Sequence, residues 1–486
     1  MSENAQNPWF KRKLKGIITP SREKKETPYL ITVTHPSNLY ETSSLINNNI
    51  SKKDNTKDFF TAARYDEISD NPIMYAPLNN VSFNVDGIQV TLAVYSPNNV
   101  HQAADMEADL KKMMQAQSTF LKGFKTTKEY NILLYLFDSE IHKFSVFGAL
   151  EHLSSTTVIY PESYSKKQLA NGMINGTISH EFFHIVSPLS VHSEEIHSFD
   201  FNEPNMSMHL WMYEGVTEYF ANLFQVNQGL ISEQEFLNKI NEKINASSNF
   251  DDTMPFTKMS KNILEPAYAR NYGNVYQKGA LIGMCIDIIL REESKGLYGI
   301  RDLMKDLSEK YGALRPFKDN EIIEEIVRMT YPSVGDFFTN HVIGTTPIDY
   351  FLYFEKTGIH KSSALSEASY FIDSQNQPFI SVNKERKLFF TKRTNSGLTA
   401  LGIKENDLLK SVNGEAISLQ NVNQIIGQSF QWKPGDELRF EIERNGKLIQ
   451  LKGKAVIPKF EQKVLKIKEL PENDPRVLLR NAWLKG

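Results

Sequence analysis

The stretch from Thr177 to Pro188 reads "TISHEFFHIVSP" and contains two histidines four positions apart. On a helix, His180 and His184 project from one face a turn apart, so two imidazole nitrogens can reach one metal ion. Glu181 lies beside the first histidine, where it can accept a proton from zinc-activated water without binding the metal. Pro188 predicts the end of this helix. The spacing favours a zinc site, and two histidines with structural partners on an amphipathic helix are the alternative.

A catalytic zinc site requires a third protein ligand, because such sites keep three protein ligands and one open position. The later segment "HLWMYEGVTEYFANLF" places Glu214 and Glu218 one turn apart on a helix whose apolar residues would bury it. A buried carboxylate needs a partner. We therefore predict Glu214 as the third ligand and Glu218 as the acceptor that orients a ligating histidine. A helix-start carboxylate at Glu214 and a solvated Glu218 are the alternatives.

These two passages resemble the gluzincin metallopeptidases, and among them the glycyl aminopeptidase family that carries a C-terminal PDZ domain. The segment "RYDEISDNPIMYA" is similar to the passage that leads into that family's catalytic domain, and "FGALEHLSST" is similar to the strand that lines its cleft. The resemblance extends from about Asp58 to Val456. It implies a thermolysin-like catalytic domain with one Zn2+ per chain, held by His180, His184 and Glu214.

The resemblance also implies roles for a glutamate and a tyrosine. Glu151 in "GALEH" occupies the position at which related zinc aminopeptidases pair a carboxylate with the substrate's free amine, through a charge-assisted hydrogen bond. Leu150 and His152 depart from the Met and Asn of the large zinc aminopeptidases, so endopeptidase action stays open. Tyr276 precedes Lys-Gly, as does the family's tyrosine that donates to the oxyanion. The alternatives are an ordinary edge-strand glutamate and a tyrosine at the start of a core helix.

The composition excludes several classes of protein. Apolar residues make up 40% and charged residues 23%, which is typical of a soluble globular chain, and the net charge of −3 gives no case for nucleic-acid binding. The single cysteine, Cys285, excludes a disulfide framework and a cysteine-rich metal site, and its apolar neighbours predict a buried thiol. No apolar run is long enough for a transmembrane segment. Because no secretory signal is recognisable, we expect a cytoplasmic location as written, or a periplasmic or exported one if the N-terminus is incomplete.

The pattern along the 486 residues predicts an α+β multidomain protein, because the chain is too long for one ordinary core and a short sheet precedes a helical half. The segment "SVFGALEHLSSTTVIY" is predicted as one strand of that sheet. The predicted regions are a flexible arm at 1–30, a truncated N-terminal β region at 31–87, the metallopeptidase domain at 88–360, a PDZ domain at 376–458 and a C-terminal tail without a clear fold at 459–486.

The predicted PDZ domain rests on a resemblance to the bacterial type. The segment "NSGLTALGIKENDLLKSVNG" is followed by short strands with turn residues at 413–414, 434–436 and 445–446. Asn406 stands where such domains usually have Gly. The resemblance implies a C-terminal peptide ligand bound by strand addition, and a packing module without a ligand is the alternative.

The sequence thus predicts a zinc-dependent peptidase that acts on peptide or protein substrates, as an aminopeptidase. Zinc-activated water attacks the peptide bond, Glu181 serves as general base and Tyr276 stabilises the oxyanion. A PDZ-assisted endopeptidase and a catalytically dead PDZ scaffold are the alternatives.

Overall fold

The computed structural model describes residues 27–48, 56–124, 127–142, 147–197, 199–200, 203–373 and 377–486, so most of the predicted arm at 1–30 lies outside the described residues. The chain divides into two compact units. Unit 1 extends to Gly358 and resumes at Lys468, and unit 2 is Ile359–Ile467. The backbone N–H of Lys468 donates to the Gly358 carbonyl at 2.8 Å, so the two ends of unit 1 meet where unit 2 interrupts its sequence.

The N-terminal part of unit 1 contains two small antiparallel sheets. Their strands are β1 (Tyr29–Thr34), β2 (Tyr40–Thr42), β3 (Ile46–Asn47), β4 (Lys57–Ala62) and β5 (Met74–Ala76). One sheet has the order β1-β4-β3, and the other pairs β2 with β5. Side chains along β1 alternate between partly buried and exposed, as expected for a strand with one solvated face, and Phe60 of β4 is fully buried beneath the sheet.

A five-stranded sheet forms the frame of the region predicted as the metallopeptidase domain. Its strands are β6 (Asn80–Val85), β7 (Ile88–Tyr95), β8 (Glu129–Phe137), β9 (Gly148–His152) and β10 (Ser155–Pro161), in the order β6-β7-β8-β10-β9. The β7-β8 and β8-β10 pairs are parallel, and the outer pairs are antiparallel. The tight turn between β6 and β7 is formed by Asp86 and Gly87, and both residues have positive φ.

Two expectations about this sheet are corrected. The boundary expected after residue 87 falls inside the β6-β7 hairpin, so β6 belongs to the same sheet as β7. The segment expected to be one strand forms two, because the chain turns at 153–154 and β10 pairs antiparallel with β9. This turn leaves β9 at the edge of the sheet, with Glu151 on it.

Helices make up the rest of unit 1. They are α1 (Tyr65–Ser69), α2 (Glu107–Phe120), α3 (Lys166–Gln168), α4 (Ser179–Phe183), α5 (Glu194–His197), α6 (Thr217–Asn227), α7 (Glu233–Ser247), α8 (Phe256–Lys261), α9 (Pro266–Ala269), α10 (Asn274–Glu293), α11 (Ile300–Lys310), α12 (Ile322–Met329), α13 (Pro332–Phe337) and α14 (Tyr350–Lys356), with a 3-10 turn at Ala103–Asp105 and π-helical segments at Leu169–Ile178, Trp211–Val216 and Phe338–Val342. Helix α10 is almost entirely buried, including the predicted buried thiol of Cys285. None of the helices in the described parts of the chain has the length and apolarity to cross a bilayer.

The C-terminal tail differs from the expectation of no clear fold. Residues Lys459–Ile467 form β18, and Pro475–Lys485 form a helix of unit 1, which is numbered α17 in chain order. Trp483 is fully buried, and its indole N–H donates to the Tyr219 hydroxyl at 2.6 Å. Burial of a side chain this large makes α17 part of the core of unit 1.

Unit 2 has its own apolar core, with Phe371, Phe379 and Leu398 fully buried. Its elements are β11 (Ile359–Glu367), β12 (Ile380–Val382), β13 (Leu388–Phe390), α15 (Ser396–Ala400), β14 (Leu408–Val412), β15 (Glu415–Ala416), α16 (Val422–Ser429), β16 (Glu437–Arg444), β17 (Lys447–Lys454) and β18. The main sheet has the order β12-β13-β14-β16-β17, β15 pairs with β14, and β11 pairs with β18. Unit 2 therefore extends beyond the predicted boundaries of 376–458 at both ends, because it begins with β11 and ends with β18, and these two strands pair with each other.

Candidate active site

The first ligand helix is built from three consecutive segments. Helix α3 leads into the π-helical segment Leu169–Ile178, which continues as α4 with His180 and Glu181. The helix ends at Phe183, earlier than the predicted stop at Pro188, and residues 184–190 form turns. In these turns the backbone N–H of Leu189 donates to the His184 carbonyl at 3.1 Å. His184 therefore lies at the helix end and keeps its place through turn hydrogen bonds.

Aromatic packing fixes the position of α4. Phe183 has edge-on ring contacts with Phe120 of α2 and Phe220 of α6, at centroid distances of 5.8 Å in both cases. Phe182 contacts Tyr130 of β8 edge-on at 5.2 Å. All of these rings are almost completely buried. The two phenylalanines inside the "HEFFH" motif thus pack α4 against the sheet on one side and against helices α2 and α6 on the other.

The second ligand segment is the π-helical turn Trp211–Val216, which runs into α6. Gly215 in this turn packs against Gly279 of α10 so closely that a Cβ added at Gly215 would lie 2.4 Å from the Gly279 carbonyl carbon. Only two glycines allow the backbones to approach this closely. The contact brings Glu214 of one segment beside Tyr276 of the other.

The structure brings the three predicted ligands together. One ligand atom each from His180, His184 and Glu214 lie within 4.8 Å of one another, and all three residues are buried. Glu214 Oε2 is 3.2 Å from His180 Nε2 and 3.7 Å from His184 Nε2. Two imidazole nitrogens and one carboxylate oxygen are the ligand set of many catalytic zinc sites.

One ring nitrogen of His184 has a hydrogen-bond partner and the other has none among the described residues. Its Nδ1 donates to the Ser187 carbonyl at 2.9 Å, and because a carbonyl only accepts, the neutral ring carries its lone pair on Nε2. That Nε2 is buried and has no hydrogen-bond partner among the described residues. A buried unpaired acceptor is costly. A metal ion held by His180, His184 and Glu214 would fit this donor set and satisfy the orphaned nitrogen.

His180 is held from both sides by carboxylates. Its Nδ1 lies 2.8 Å from Glu218 Oε2, as predicted for a residue that orients a ligand. Burial alone would lower the pKa of His180, but the hydrogen bonds to Glu214 and Glu218 raise that pKa to about 10. The two carboxylates therefore favour a positive charge at this point, whether a protonated imidazole or a bound metal ion.

Glu181 lies buried beside two other carboxylates. Its side chain is buried, and its Oε2 has no hydrogen-bond partner among the described residues. Burial raises the pKa of Glu181 well above its usual range, and the nearby carboxylates of Glu151 and Glu214 add to the effect. A carboxylate whose pKa is raised is a stronger base, as a proton acceptor in catalysis requires.

Glu151 faces the same cluster from the edge strand β9. Oxygens of Glu151 and Glu181 and a nitrogen of His184 lie within 4.8 Å of one another. Burial raises the pKa of Glu151, the nearby Glu214 raises it further, and its Oε2 lacks a hydrogen-bond partner among the described residues. The position is suited to binding a cationic group, whose charge would offset the cost of burying these negatively charged carboxylates.

Tyr276 approaches from the start of α10. Its ring centroid is 5.6 Å from that of His180. Burial, reinforced by the Glu214 charge, raises the pKa of Tyr276 well above its usual range, so the phenol stays protonated and able to donate. Its hydroxyl oxygen lies 3.4 Å from that of Tyr272.

Two residues of the site were not singled out from the sequence. Tyr272 is four positions before Tyr276, a spacing that could have flagged a shared face. Lys243 of α7 pairs with Glu218, with 2.5 Å between Nζ and Oε1. No local sequence pattern connects Lys243 with Glu218, because the two residues lie on different helices.

Comparisons with known proteins come to the same region. Residues 174–282 match the family described as M61 glycyl aminopeptidase, which is 109 residues (282 − 174 + 1) of the chain. The match contains His180, Glu181, His184, Glu214 and Tyr276. No curated protein sequence matches the chain.

Solved structures show a related fold. An aminopeptidase N family protein from Idiomarina loihiensis is 17% identical with a TM-score of 0.65, over 95% of this chain and 80% of that chain. An M1 zinc metallopeptidase from Deinococcus radiodurans is 14% identical with a TM-score of 0.46, over 68% of each chain. At 17% identity the likeness to the Idiomarina loihiensis protein concerns the fold alone. The family match over residues 174–282 supports an enzyme of the hydrolase class, a metallopeptidase.

Proposed function

We propose that the protein is a zinc-dependent aminopeptidase. The observation that carries the proposal is the buried cluster of His180, His184 and Glu214, whose ligand atoms converge within 4.8 Å beside Glu181. The orphaned Nε2 of His184 supports it, because this nitrogen is buried and faces the other two ligands. In this proposal the three residues hold one Zn2+ per chain.

A zinc ion held there supplies Lewis-acid chemistry, which polarises the scissile carbonyl and makes water acidic enough to attack near neutral pH. Glu181 is the general base of the proposed reaction. Its carboxylate accepts the proton of the attacking water, and the resulting carboxylic acid delivers that proton to the leaving amine. The buried setting suits the first step, because burial raises the pKa of Glu181 and so makes its carboxylate a stronger base toward the attacking water.

Tyr276 is the proposed donor to the oxyanion. Its phenol stays protonated because of burial, and a donor aimed at developing negative charge contributes about 3–4 kcal/mol to transition-state binding. Tyr272, whose hydroxyl is 3.4 Å away, helps to hold the Tyr276 side chain in place.

Glu151 is the proposed anchor for the substrate's free amine. It lies on the edge strand and shares the cluster with Glu181 and His184. An ammonium group bound there would form a charge-assisted hydrogen bond with a buried carboxylate. This anchor sets the reacting bond one residue from the N-terminus, which is the distinction between an aminopeptidase and an endopeptidase.

We also propose that unit 2 contains a PDZ domain. Its own core, its antiparallel sheet and its two short helices support this assignment. Asn406, at the position that usually holds Gly, has a φ of 65°, a conformation that asparagine tolerates better than most residues. A PDZ domain that presents substrates is the feature that keeps endopeptidase action as the second candidate function.

Metal analysis combined with activity tests the proposal. The protein is purified without chelators, its zinc content is measured, and hydrolysis is followed on a panel of aminoacyl reporter substrates. We expect about one zinc per chain, loss of hydrolysis after treatment with a chelator, and recovery on adding Zn2+. Absence of zinc together with absence of hydrolysis would favour the scaffold alternative.

A further inference from the structure

A lysine is buried behind the candidate metal site. Lys243 lies on α7, a helix whose start is fixed by a reciprocal capping box between Ser232 and Glu235. Only 9% of Lys243 is exposed, although lysine is among the residues least often buried without a partner. Its ammonium group therefore needs a specific counter-charge.

Glu218 of α6 is that counter-charge, and it links Lys243 to a metal ligand. Its Oε1 accepts hydrogen bonds from Lys243 Nζ at 2.5 Å and from Asn222 Nδ2 at 3.0 Å. Its Oε2 faces His180 Nδ1 at 2.8 Å. The carboxylate is thus held on one oxygen while the other contacts the histidine.

The contact with His180 determines how that ring presents its Nε2. A carboxylate on Nδ1 fixes the rotation of the imidazole and raises the basicity of the ligating nitrogen, and loss of such a partner typically weakens metal binding by about 10–100-fold. Glu218 can only do this if its own side chain is fixed. Asn222 supplies a neutral hydrogen bond, and Lys243 supplies the only ammonium group hydrogen-bonded to Glu218 among the described residues.

We propose that Lys243 is a positioning residue for the metal site. Its ion pair with Glu218 holds the carboxylate in the orientation that aligns His180 Nε2, and so it sets the affinity for zinc. The inference rests on the proposed function only in taking zinc as the ion. A helix-to-helix ion pair that serves stability alone is the competing role, since Lys243 and Glu218 also join α7 to α6.

The affinity of the full-length protein for Zn2+ separates these roles. It is measured by competition with a chromophoric chelator, at one pH, on protein that circular dichroism shows to be folded. We expect Lys243→Met to weaken zinc binding about tenfold, and Lys243→Arg, which keeps the charge, to recover most of the loss. Lys243→Gln, which keeps a donor but no charge, is a second variant for use if the methionine variant does not fold.

A double-mutant cycle gives the sharper readout. If Lys243 acts through Glu218, adding Lys243→Met to Glu218→Gln weakens zinc binding no further. Lys261→Met is the matched control, because Lys261 pairs with Glu195 at 3.1 Å and touches none of the proposed ligands. We expect wild-type zinc affinity for this control.

The outcomes are distinct. Zinc affinity of folded Lys243→Met or Lys243→Gln equal to that of wild type overturns the positioning role, as do additive losses in the cycle or an equal loss in Lys261→Met. Failure of the wild-type protein itself to bind zinc instead rejects the proposed function.

Discussion

Two clusters of buried polar groups lie in unit 1, and they differ in how completely their hydrogen bonds are satisfied. The first is the metal-site cluster of His184, Glu181 and Glu151. The second surrounds Asp287 on α10, whose Oδ1 accepts from Arg291 Nε and the Ile300 N–H, both at 2.9 Å, and whose Oδ2 accepts from the Tyr219 hydroxyl at 2.7 Å. Tyr219 follows Glu218 directly on α6, so this helix carries both a residue of the Asp287 cluster and the carboxylate that contacts His180.

The difference lies in the unpaired atoms. Glu151 Oε2, Glu181 Oε2 and His184 Nε2 are buried and lack hydrogen-bond partners among the described residues. Asp287, although it is completely buried, has a donor for each oxygen. A satisfied buried network contributes to a unique, stable core, whereas unsatisfied buried groups call for another explanation. We interpret the Asp287 cluster as structural and the metal-site cluster as the place where ligand and substrate complete the bonding.

The largest contrast is expected from the same carboxylate-to-amide change in each cluster. Glu181→Gln removes the proposed general base, so we expect kcat to fall by about 10²–10⁴-fold. Its free energy of unfolding should stay within about 1 kcal/mol of wild type, because the change breaks no hydrogen bond to Oε2 and removes a carboxyl group that is costly to ionise. Zinc content should be unchanged, since Glu181 is not a proposed ligand.

Asp287→Asn is the matched control for that prediction. Its amide presents a donor where Asp287 accepts hydrogen bonds from three groups, and it leaves Arg291 without its buried counter-charge, so we expect a loss of about 3–5 kcal/mol in urea unfolding. The remaining folded enzyme should keep kcat within about threefold, a factor equal to ~0.7 kcal/mol. If Glu181→Gln retained wild-type kcat, the general-base role would be wrong.

Two tyrosines provide the next contrast. Tyr276→Phe should lower kcat by about 10²-fold through loss of the oxyanion donor, with little change in stability, because the hydroxyl's described contact is the long one to Tyr272. Tyr219→Phe removes the hydroxyl that joins Asp287 and Trp483, so it should cost about 1–3 kcal/mol of unfolding free energy and leave kcat almost unchanged. Steady-state kinetics and denaturant unfolding of both variants are the measurements. If Tyr219→Phe lowered kcat while Tyr276→Phe lowered only the free energy of unfolding, the distinction between the two clusters would be wrong.

The smallest expected effect concerns the substrate's N-terminus. An acetylated peptide cannot offer an ammonium group to Glu151, so we expect its kcat/KM to be at least about tenfold below that of the free peptide, which corresponds to ~1.4 kcal/mol. Glu151→Gln should reduce this preference by lowering the rate on the free peptide more than on the blocked one. If the wild-type enzyme hydrolysed both peptides at equal rates, the role of Glu151 as amine anchor would be rejected and endopeptidase action would be favoured.

The candidate site was largely accessible from the sequence because its residues follow local rules. The four-residue spacing of His180 and His184 and the four-residue spacing of Glu214 and Glu218 each specify one helix face. Lys243 was not accessible in this way. A single lysine on an amphipathic helix normally indicates a solvated position, and only the packing of α7 on α6 shows that its partner is Glu218.

The fold was predicted best where turns carry a strong local signal. The turn predicted at 413–414 was confirmed, since Asn413 and Gly414 both have positive φ. The prediction was wrong where tertiary packing decides. Residues 153–154 turn the chain without glycine or proline, and the helix Pro475–Lys485 looked unstructured because its apolar positions acquire meaning only against the core of unit 1.

The hydrogen bond between Trp483 and Tyr219 joins residues 264 positions apart. On the ribosome, α6 is made long before the helix that covers it, and the 109 residues of unit 2 (467 − 359 + 1) emerge in between. At about 5–20 residues per second, this segment alone takes roughly 5–20 s to synthesise. During that interval the nascent chain already carries every proposed catalytic residue, but Tyr219 lacks its hydrogen bond from Trp483 because that residue has not yet been synthesised. The core of unit 1 can therefore close around Tyr219 only after unit 2 has been synthesised.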